Sequence, residues 1–324
     1  MEPISKIDSS TNQLFFRGIS ATKLAVESNY ETVVYLLLFG NLPSTQEYEK
    51  TKSKMIEFRD LYTEDMVSMK ALVEKFDLLK NEYVLSLKDR LIAFISLSAL
   101  VTARSYRREH GLDEVYQNSD LCHTDNFLWM STGKEISEPD SSDFETCQIL
   151  HMDDPDNPSL TALTGIINDG QSVSKGLLGA LAKHVGRLHH GAGTEAMKMY
   201  FEARGKPDLR EYLSQRIGNG DKIFGLGHRI YRGFDPRARV LREMLYRRAI
   251  NTEQSWLVEL IENISKIGSE VLLDGKGIQA YPNVDLYNAA TYTTFGFTSE
   301  FNTSLFALSR TAGWSAHILE LLEG

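Results

Sequence analysis

Apolar residues recur along this chain at intervals of three and four, the spacing that lines one face of an α-helix. Leu24, Ala25, Val26, Val33, Val34, Leu36, Leu37 and Leu38 lead into Phe39-Gly40-Asn41-Leu42-Pro43, a helical run stopped first by glycine and then by proline. The same spacing runs from Leu87 to Tyr106, from Phe127 to Met130 and from Phe144 to Met152. Strand-type alternation is scarce, and only Leu14 to Phe16 offers a short strand. The eight prolines punctuate the long runs rather than interrupt them. The pattern predicts an all-α fold without repeats or low-complexity tracts.

Two stretches refine this picture. Leu91 to Val101 is the most apolar segment, about half the length a membrane span needs, so it predicts a buried helix and no membrane anchor. Ser174 to His184 carries Gly176, Gly179 and Ala182 on one face beside Leu177, Leu178 and Leu181. Small residues at that spacing let two helix backbones approach closely, either within the chain or across a dimer seam. The pattern alone leaves both open.

Composition adds class and compartment. A chain of 324 residues is long enough for about two ordinary domains. With 42% apolar and 24% charged residues it has the balance of a soluble globular protein. The net charge of −9 argues against a general nucleic-acid binder, which needs a basic footprint to displace counterions. The charge is unevenly spread: Arg204 to Arg248 holds twelve Lys/Arg and five Asp/Glu, so this segment is +7 and the rest of the chain −16. Cys122 and Cys147 are too few for a disulfide framework and lack metal-ligand spacing, which suits reduced thiols in a cytoplasmic protein. The N-terminus lacks the charged-then-apolar order of a signal peptide.

Four groups could carry chemistry. Gly186-Arg187-Leu188-His189-His190-Gly191-Ala192-Gly193 brackets a histidine pair with glycines, which free the backbone to approach a ligand. Gly225-Leu226-Gly227-His228-Arg229-Ile230-Tyr231-Arg232, followed by Asp235-Pro236-Arg237-Ala238-Arg239, is weak as a phosphate loop because no strand or third glycine supports it. It is stronger as a substrate site, where His228 can donate to a carbonyl and Arg237 can clamp a carboxylate. A solvated basic face is the plainer reading for Arg239 and Arg242. In Tyr281-Pro282-Asn283-Val284-Asp285-Leu286-Tyr287, Asp285 could simply cap a helix. In Phe306 to Trp314, Arg310 sits in an otherwise apolar helix and needs an anionic partner, from the protein or from a substrate.

Taken together and in this order, these runs resemble the citrate synthase family. The matching runs are LLLFG-LP (Leu36 to Pro43), NFLWM-TG (Asn126 to Gly133), LHxGA (Leu188 to Ala192), GxGHRxYxxxDPRA (Gly225 to Ala238), PNVDxY (Pro282 to Tyr287) and FALSRTAGW-AH (Phe306 to His317). They span nearly the whole chain. The resemblance implies an enzyme that joins acetyl-CoA, or a short acyl-CoA, to oxaloacetate or a related 2-oxo acid, converting the acyl group into an alkyl group and then hydrolysing the thioester. It implies Asp285 as the base on the thioester methyl, His189 as donor to the forming enol oxygen, and His228 as the group polarising the acceptor carbonyl. Arg237 and Arg310 would hold acceptor carboxylates, while Gly227, Arg229 and Arg232 would face coenzyme A. Coenzyme A thioester is then a co-substrate, with no permanently bound cofactor. The family's architecture implies a helical homodimer. Its large domain would take 1–190 and 297–324, and a smaller one, 191–296, would close over substrate.

The departures from the family pattern concern the acceptor. The usual Asp-His-Glu run, whose histidine helps bind oxaloacetate, aligns with Asp153-Asp154-Pro155. The usual Gly-Pro-Leu-His-Gly reads Gly186-Arg187-Leu188-His189-His190, which sets two potential cations, Arg187 and His190, beside His189. The match stops at Gly324, before the tail that lends an arginine to a neighbouring subunit's site, and a segment before Leu87 looks shortened. An acid at Asp154 is expected to weaken binding of a dianion and to shift the acceptor toward another 2-oxo acid. Three alternatives stay open: a non-catalytic paralogue, a citryl-CoA-type lyase running the chemistry backwards, and a metal site from His151, Asp153, Asp154, His189 and His190.

Overall fold

A computed structural model of the chain describes residues 2–79, 85–184, 191–227 and 233–324. Among these the architecture is helical, as the three-and-four spacing predicts. The exception lies near the N-terminus, where β1 (Ser5–Asp8), β2 (Gln13–Phe16) and β3 (Ile19–Ser20) form a three-stranded sheet in that order. β2 contains the anticipated Leu14 to Phe16 run and pairs antiparallel with β3, Phe16 opposite Ile19. β1 and β3 carry too few apolar residues to announce themselves in the sequence.

The described residues form two compact units, 2–7, 14–184 and 304–324 in the first, and 8–13 and 191–303 in the second. In the first unit, α1 (Ala21–Glu27) precedes α2 (Tyr30–Phe39), which starts where the Asn29 side chain accepts the Thr32 N–H. α2 ends at Gly40, whose φ of +87° suits glycine. After Pro43, Ser44 and Glu47 build a reciprocal capping box for α3 (Thr45–Glu57). α4 (Met69–Lys75) leads toward α5 (Leu87–Glu109), whose residues Leu91 to Ala103 are all buried. No helix among the described residues is long and apolar enough to cross a membrane. α6 (His123–Thr132) and α7 (Glu138–Leu150) meet through Phe127 and Phe144, whose rings stack 5.3 Å apart.

The small-residue helix is α9 (Val173–His184), and its glycine face is used inside the chain by α8 (Pro158–Asn168). A Cβ on Gly176 would lie 2.8 Å from Ile167 Cγ1, and one on Gly179 would overlap Ile166 Cδ1. The glycines therefore let the two isoleucines of α8 sink into α9, which accounts for the pattern as intrachain packing.

The second unit contains α10 (Ala192–Arg204), α11 (Leu209–Gly218), α12 (Pro236–Ala249), α13 (Ser255–Lys276) and the short α14 (Asn288–Thr293). α13 is amphipathic and buries Leu257, Val258, Ile261, Ile264 and Val271 along one stripe. Gly268 interrupts that stripe because Leu226 Cδ1 approaches to 2.6 Å of where its Cβ would stand. α15 (Asn302–Glu323) belongs from Ser304 onward to the first unit and carries Arg310 and Trp314, both buried.

Candidate active site

Within the second unit, two parts of the Gly225-to-Ala238 motif and the distant Pro282-to-Tyr287 motif are laced together through their backbones. The Gly225-Leu226-Gly227 loop pairs with the Pro-Asn-Val-Asp loop in an isolated antiparallel bridge, Leu226 opposite Pro282. Gly227 N–H donates to Tyr281 O at 2.8 Å, and Asn283 N–H donates to Gly225 O at 2.9 Å. Asp235 N–H donates to Pro282 O at 3.1 Å, which adds the Asp-Pro-Arg segment to the same knot. Both glycines sit at positive φ, +84° at Gly225 and +83° at Gly227, where a side chain is strained.

Asp285 lies in a 3-10 turn, Val284–Leu286, and is half-buried. It does not cap that turn. Asn283 does, accepting the Asp285 N–H on Oδ1 at 2.9 Å while its Nδ2 donates to Gly227 O at 2.6 Å. The capping bond of this turn belongs to the asparagine and not to Asp285. Behind the turn, the buried Tyr200 hydroxyl donates to Leu286 O at 2.6 Å. Burial, then Tyr287 and Asp285, push the Tyr200 phenol well up, so this donor stays protonated.

Arg237 is buried with Asp235. Asp235 accepts the Arg237 backbone N–H at the start of α12, and the guanidinium returns Nε to Oδ1 at 3.1 Å and Nη2 to Oδ2 at 2.9 Å. The side chains are 2% and 0% exposed, so this is a fork-to-carboxylate pair out of water. Arg242 lies on an exposed face of α12, as the solvated basic reading expects, and pairs there with Glu262 through two bonds of 2.7 Å. Arg239 lies over the Phe234 ring.

In the first unit, the turn after α7 carries Asp153 and Asp154. α15 can press on this turn only because residue 313 is glycine; a Cβ there would overlap Met152 O and stand 2.6 Å from Asp153 Oδ1. Asp153 Oδ2 accepts from Ser5 Oγ at 2.5 Å and from His317 Nε2 at 2.9 Å. Burial would raise the Asp153 carboxyl, but His317, the Ser5 hydroxyl and Arg310 together hold it below its ordinary value. Arg310 Nη2 faces Asp154 Oδ2 at 3.9 Å, with side-chain exposures of 3% and 15%.

The sequence-predicted residues thus divide cleanly. Gly227, Arg237 and Asp285 gather in the second unit, and Asp154 and Arg310 pair in the first. Arg187, His189 and His190, and His228, Arg229 and Arg232, lie outside the described residues. Among the described residues no three His, Cys, Asp or Glu side chains form a group able to hold a metal ion. Of the metal alternative's members, His151 Nδ1 is 2.7 Å from Cys147 O, and both aspartates face the partners given above. Asp235, Asn283 and His317 are contributors that spacing alone did not single out. Each sits inside a quoted motif, and its role appears only once the backbone brings its partner near.

A family model described as "Citrate synthase, C-terminal domain" matches residues 2–324. The chain belongs to the citrate synthase family. It is 31% identical to the citrate synthase of Deinococcus radiodurans over 97% of this chain and 87% of that protein. It is 28% identical to the citrate/2-methylcitrate synthase of Bacillus subtilis over 98% of this chain and 88% of that one. The crystal structure of citrate synthase from Thermotoga maritima, 29% identical, superposes with a TM-score of 0.83 over 98% of this chain and 87% of that one. That of Pyrobaculum aerophilum, 27% identical, gives 0.85 over 99% and 86%. The citrate synthase family is all-α, and the helices described here follow that architecture.

Proposed function

We propose that the chain is a carboligase of the citrate synthase type, an enzyme that condenses acetyl-CoA with oxaloacetate or a related 2-oxo acid and hydrolyses the thioester. The observation that carries this reading is the knot of three loops around Asp285, which is half-buried and leaves the capping bond of its turn to Asn283. A carboxylate is far too weak a base for a thioester C–H in water. It suffices only where proton removal is matched by hydrogen-bond donation to the forming enol in a closed, dry site. Asp285 takes the methyl proton in this scheme, and His189 donates to the thioester oxygen. His228, next in sequence to Gly227, polarises the acceptor carbonyl. Arg237 and Arg310 hold the acceptor, with Asp154, Arg187 and His190 shaping its choice. Gly227, Arg229 and Arg232 face the coenzyme A thioester, a co-substrate rather than a resident cofactor.

The same proposal takes the chain as a cytoplasmic homodimer. It divides the chain into a large domain, 1–190 and 297–324, and a smaller one, 191–296, that closes on substrate. Support comes from the family's architecture and from the local surplus of seven cations between Arg204 and Arg248, suited to polyanionic coenzyme A. The test is thiol release from acetyl-CoA by the purified protein with oxaloacetate, compared with Asp285→Asn. The expected result is turnover by the parent and a loss of at least about a thousandfold in the variant. Absence of thiol release with every 2-oxo acid tried would leave a non-catalytic role as the better reading.

A further inference from the structure

We infer that the cavity between α12 and α13 binds an amphipathic organic cation, an ammonium head carried on an aromatic or aliphatic body. The inference stands apart from the carboligase reading, because none of the residues assigned to the reaction lines this cavity. Both helices belong to the second unit. The connection 250–254 turns the chain back, so that Arg242 of α12 meets Glu262 of α13 in a two-bond pair. Between that pair and the connection lies a cavity of about 820 Å³. Small-molecule sites run from roughly 300 to 1,000 Å³, so the space suits a small ligand.

The lining has two halves. Tyr246 and Ile250 of α12 and Trp256 of α13 form the apolar half beside the connection, and Tyr246 is 56% exposed. Glu243 follows about one turn farther from the connection than Tyr246, and Glu259 about one turn farther than Trp256. Three carboxylates therefore face one guanidinium in the described lining. Glu262 is already engaged, since both its oxygens accept from Arg242 and Oε1 also lies 3.4 Å from the Tyr287 hydroxyl. Glu243 and Glu259 make no hydrogen bond or ion pair among the described residues.

Charge then selects the occupant. A nucleotide could stack on the aromatic rings, but its phosphates would meet two carboxylates with no cation to offset them. A metal ion is too compact, because among the described residues no three His, Cys, Asp or Glu side chains form a group able to hold one. An ammonium on an apolar body satisfies both halves at once, its charge toward Glu243 and Glu259 and its body against Tyr246, Ile250 and Trp256. The Trp256 ring already holds one cation, since the Arg204 guanidinium of α10 lies 4.1 Å from its centroid. Arg204 does not line the cavity, and Arg248 turns instead to Thr294 and the Phe295 ring.

The experiment is calorimetric titration of the full chain with four probes of similar body and different charge: 2-phenylethylamine, 2-phenylethanol, 3-phenylpropanoate and AMP. The expected outcome is that the amine binds at least about tenfold more tightly than the alcohol, and that the two anions bind more weakly still. Glu243→Gln combined with Glu259→Gln, checked for folding by circular dichroism, should weaken the amine by at least about tenfold and leave the alcohol unchanged. Should the double variant misfold, the two single variants decide, and each should weaken the amine severalfold. Equal affinity for amine and alcohol overturns the inference and leaves a plain apolar groove. Tighter binding of either anion overturns it in favour of an arginine-lined site. Amine binding that the glutamine variants do not change places it elsewhere on the molecule, and no saturable amine binding up to about 10 mM overturns it outright.

Discussion

Gly225 and Leu286 meet backbone to backbone: a Cβ on Gly225 would stand 2.5 Å from Leu286 Cα, in a residue already at φ +84°. This contact sets the depth at which the Gly-x-Gly loop seats against the turn that carries Asp285. Gly225→Ala must both strain φ and push that turn away, and neither obstacle is a flexible side-chain tip. Gly227→Ala has the same φ problem at +83°, but its nearest obstacle is Ala280 Cβ at 3.9 Å. Backbone strain alone costs about 1–3 kcal/mol, and overpacking adds a similar amount. Urea unfolding is expected to rank Gly225→Ala as clearly the less stable of the two. Equal losses would mean that the contact with Leu286 relaxes freely.

The buried pair of Asp235 and Arg237 leads to a second expectation. Asp235 neutralises a guanidinium that is 2% exposed and also caps α12. Asp235→Asn keeps a capping oxygen but leaves the arginine charged and buried. Breaking a buried pair from one side costs about 3–5 kcal/mol. Chemical denaturation should show a loss of that order, whereas Arg242→Ala, which removes half of a more exposed pair with Glu262, should lose about 1 kcal/mol or less.

The helical class was legible because nearly every element carries its own apolar stripe and its own stop signal, as α2 shows from Asn29 to Gly40. The site residues were legible as motifs but not as an arrangement. Nothing in the spacing says that Asn283, not Asp285, takes the capping bond, since both are good capping types and only the turn's dihedrals choose. Nor could spacing decide whether Gly176 and Gly179 face another subunit or α8, because the partner surface, Ile166 and Ile167, has an ordinary helical pattern. Polar residues buried in the first unit were hidden for a related reason. Glu31, Arg59 and His123 read as surface positions until their neighbours enclose them.

Glu145, half-buried, accepts the Tyr30 N–H on Oε1 at 2.7 Å. Burial raises its carboxyl to about 7, with Glu31 and Asp125 adding to the rise and the Tyr30 bond opposing it. A carboxyl raised in the folded state stabilises fully below its unfolded value of about 4.5 and loses that contribution as pH climbs through about 7. Glu145→Gln keeps an acceptor for Tyr30 and does not titrate. Relative to the parent, the variant should gain stability between about pH 4.5 and 8, on the order of 2–3 kcal/mol. Urea midpoints at pH 4.5, 6 and 8 check this, and parallel curves for the two proteins would contradict it.

His123 works in the opposite direction a few ångströms of chain away. Its ring stacks on Tyr30 at 4.5 Å with an interplanar angle of 12°, and its backbone N–H donates to Glu31 Oε1 at 2.9 Å. Nε2 has no hydrogen-bond partner among the described residues. Burial drives the imidazole down to about 3, and the Arg59 charge adds to this. The folded ring is therefore neutral, while the unfolded one takes a proton below about 6.5. Its contribution is complete above that value and is lost as pH falls toward about 3, on the order of 3–5 kcal/mol for a fully buried group. His123→Phe keeps the stacking and the backbone bond to Glu31 while removing both the titration and the unsatisfied nitrogen. The variant should match or exceed the parent's stability at pH 7 and lose much less on acidification from pH 6 to pH 4. Between about 4.5 and 6.5 the losses from Glu145 and His123 run against each other, so the parent's curve should be shallow there. Glu145→Gln alone should steepen it toward acid, and the double variant should restore the shallow profile. If Glu145→Gln leaves the acid limb unchanged, the two groups do not offset one another.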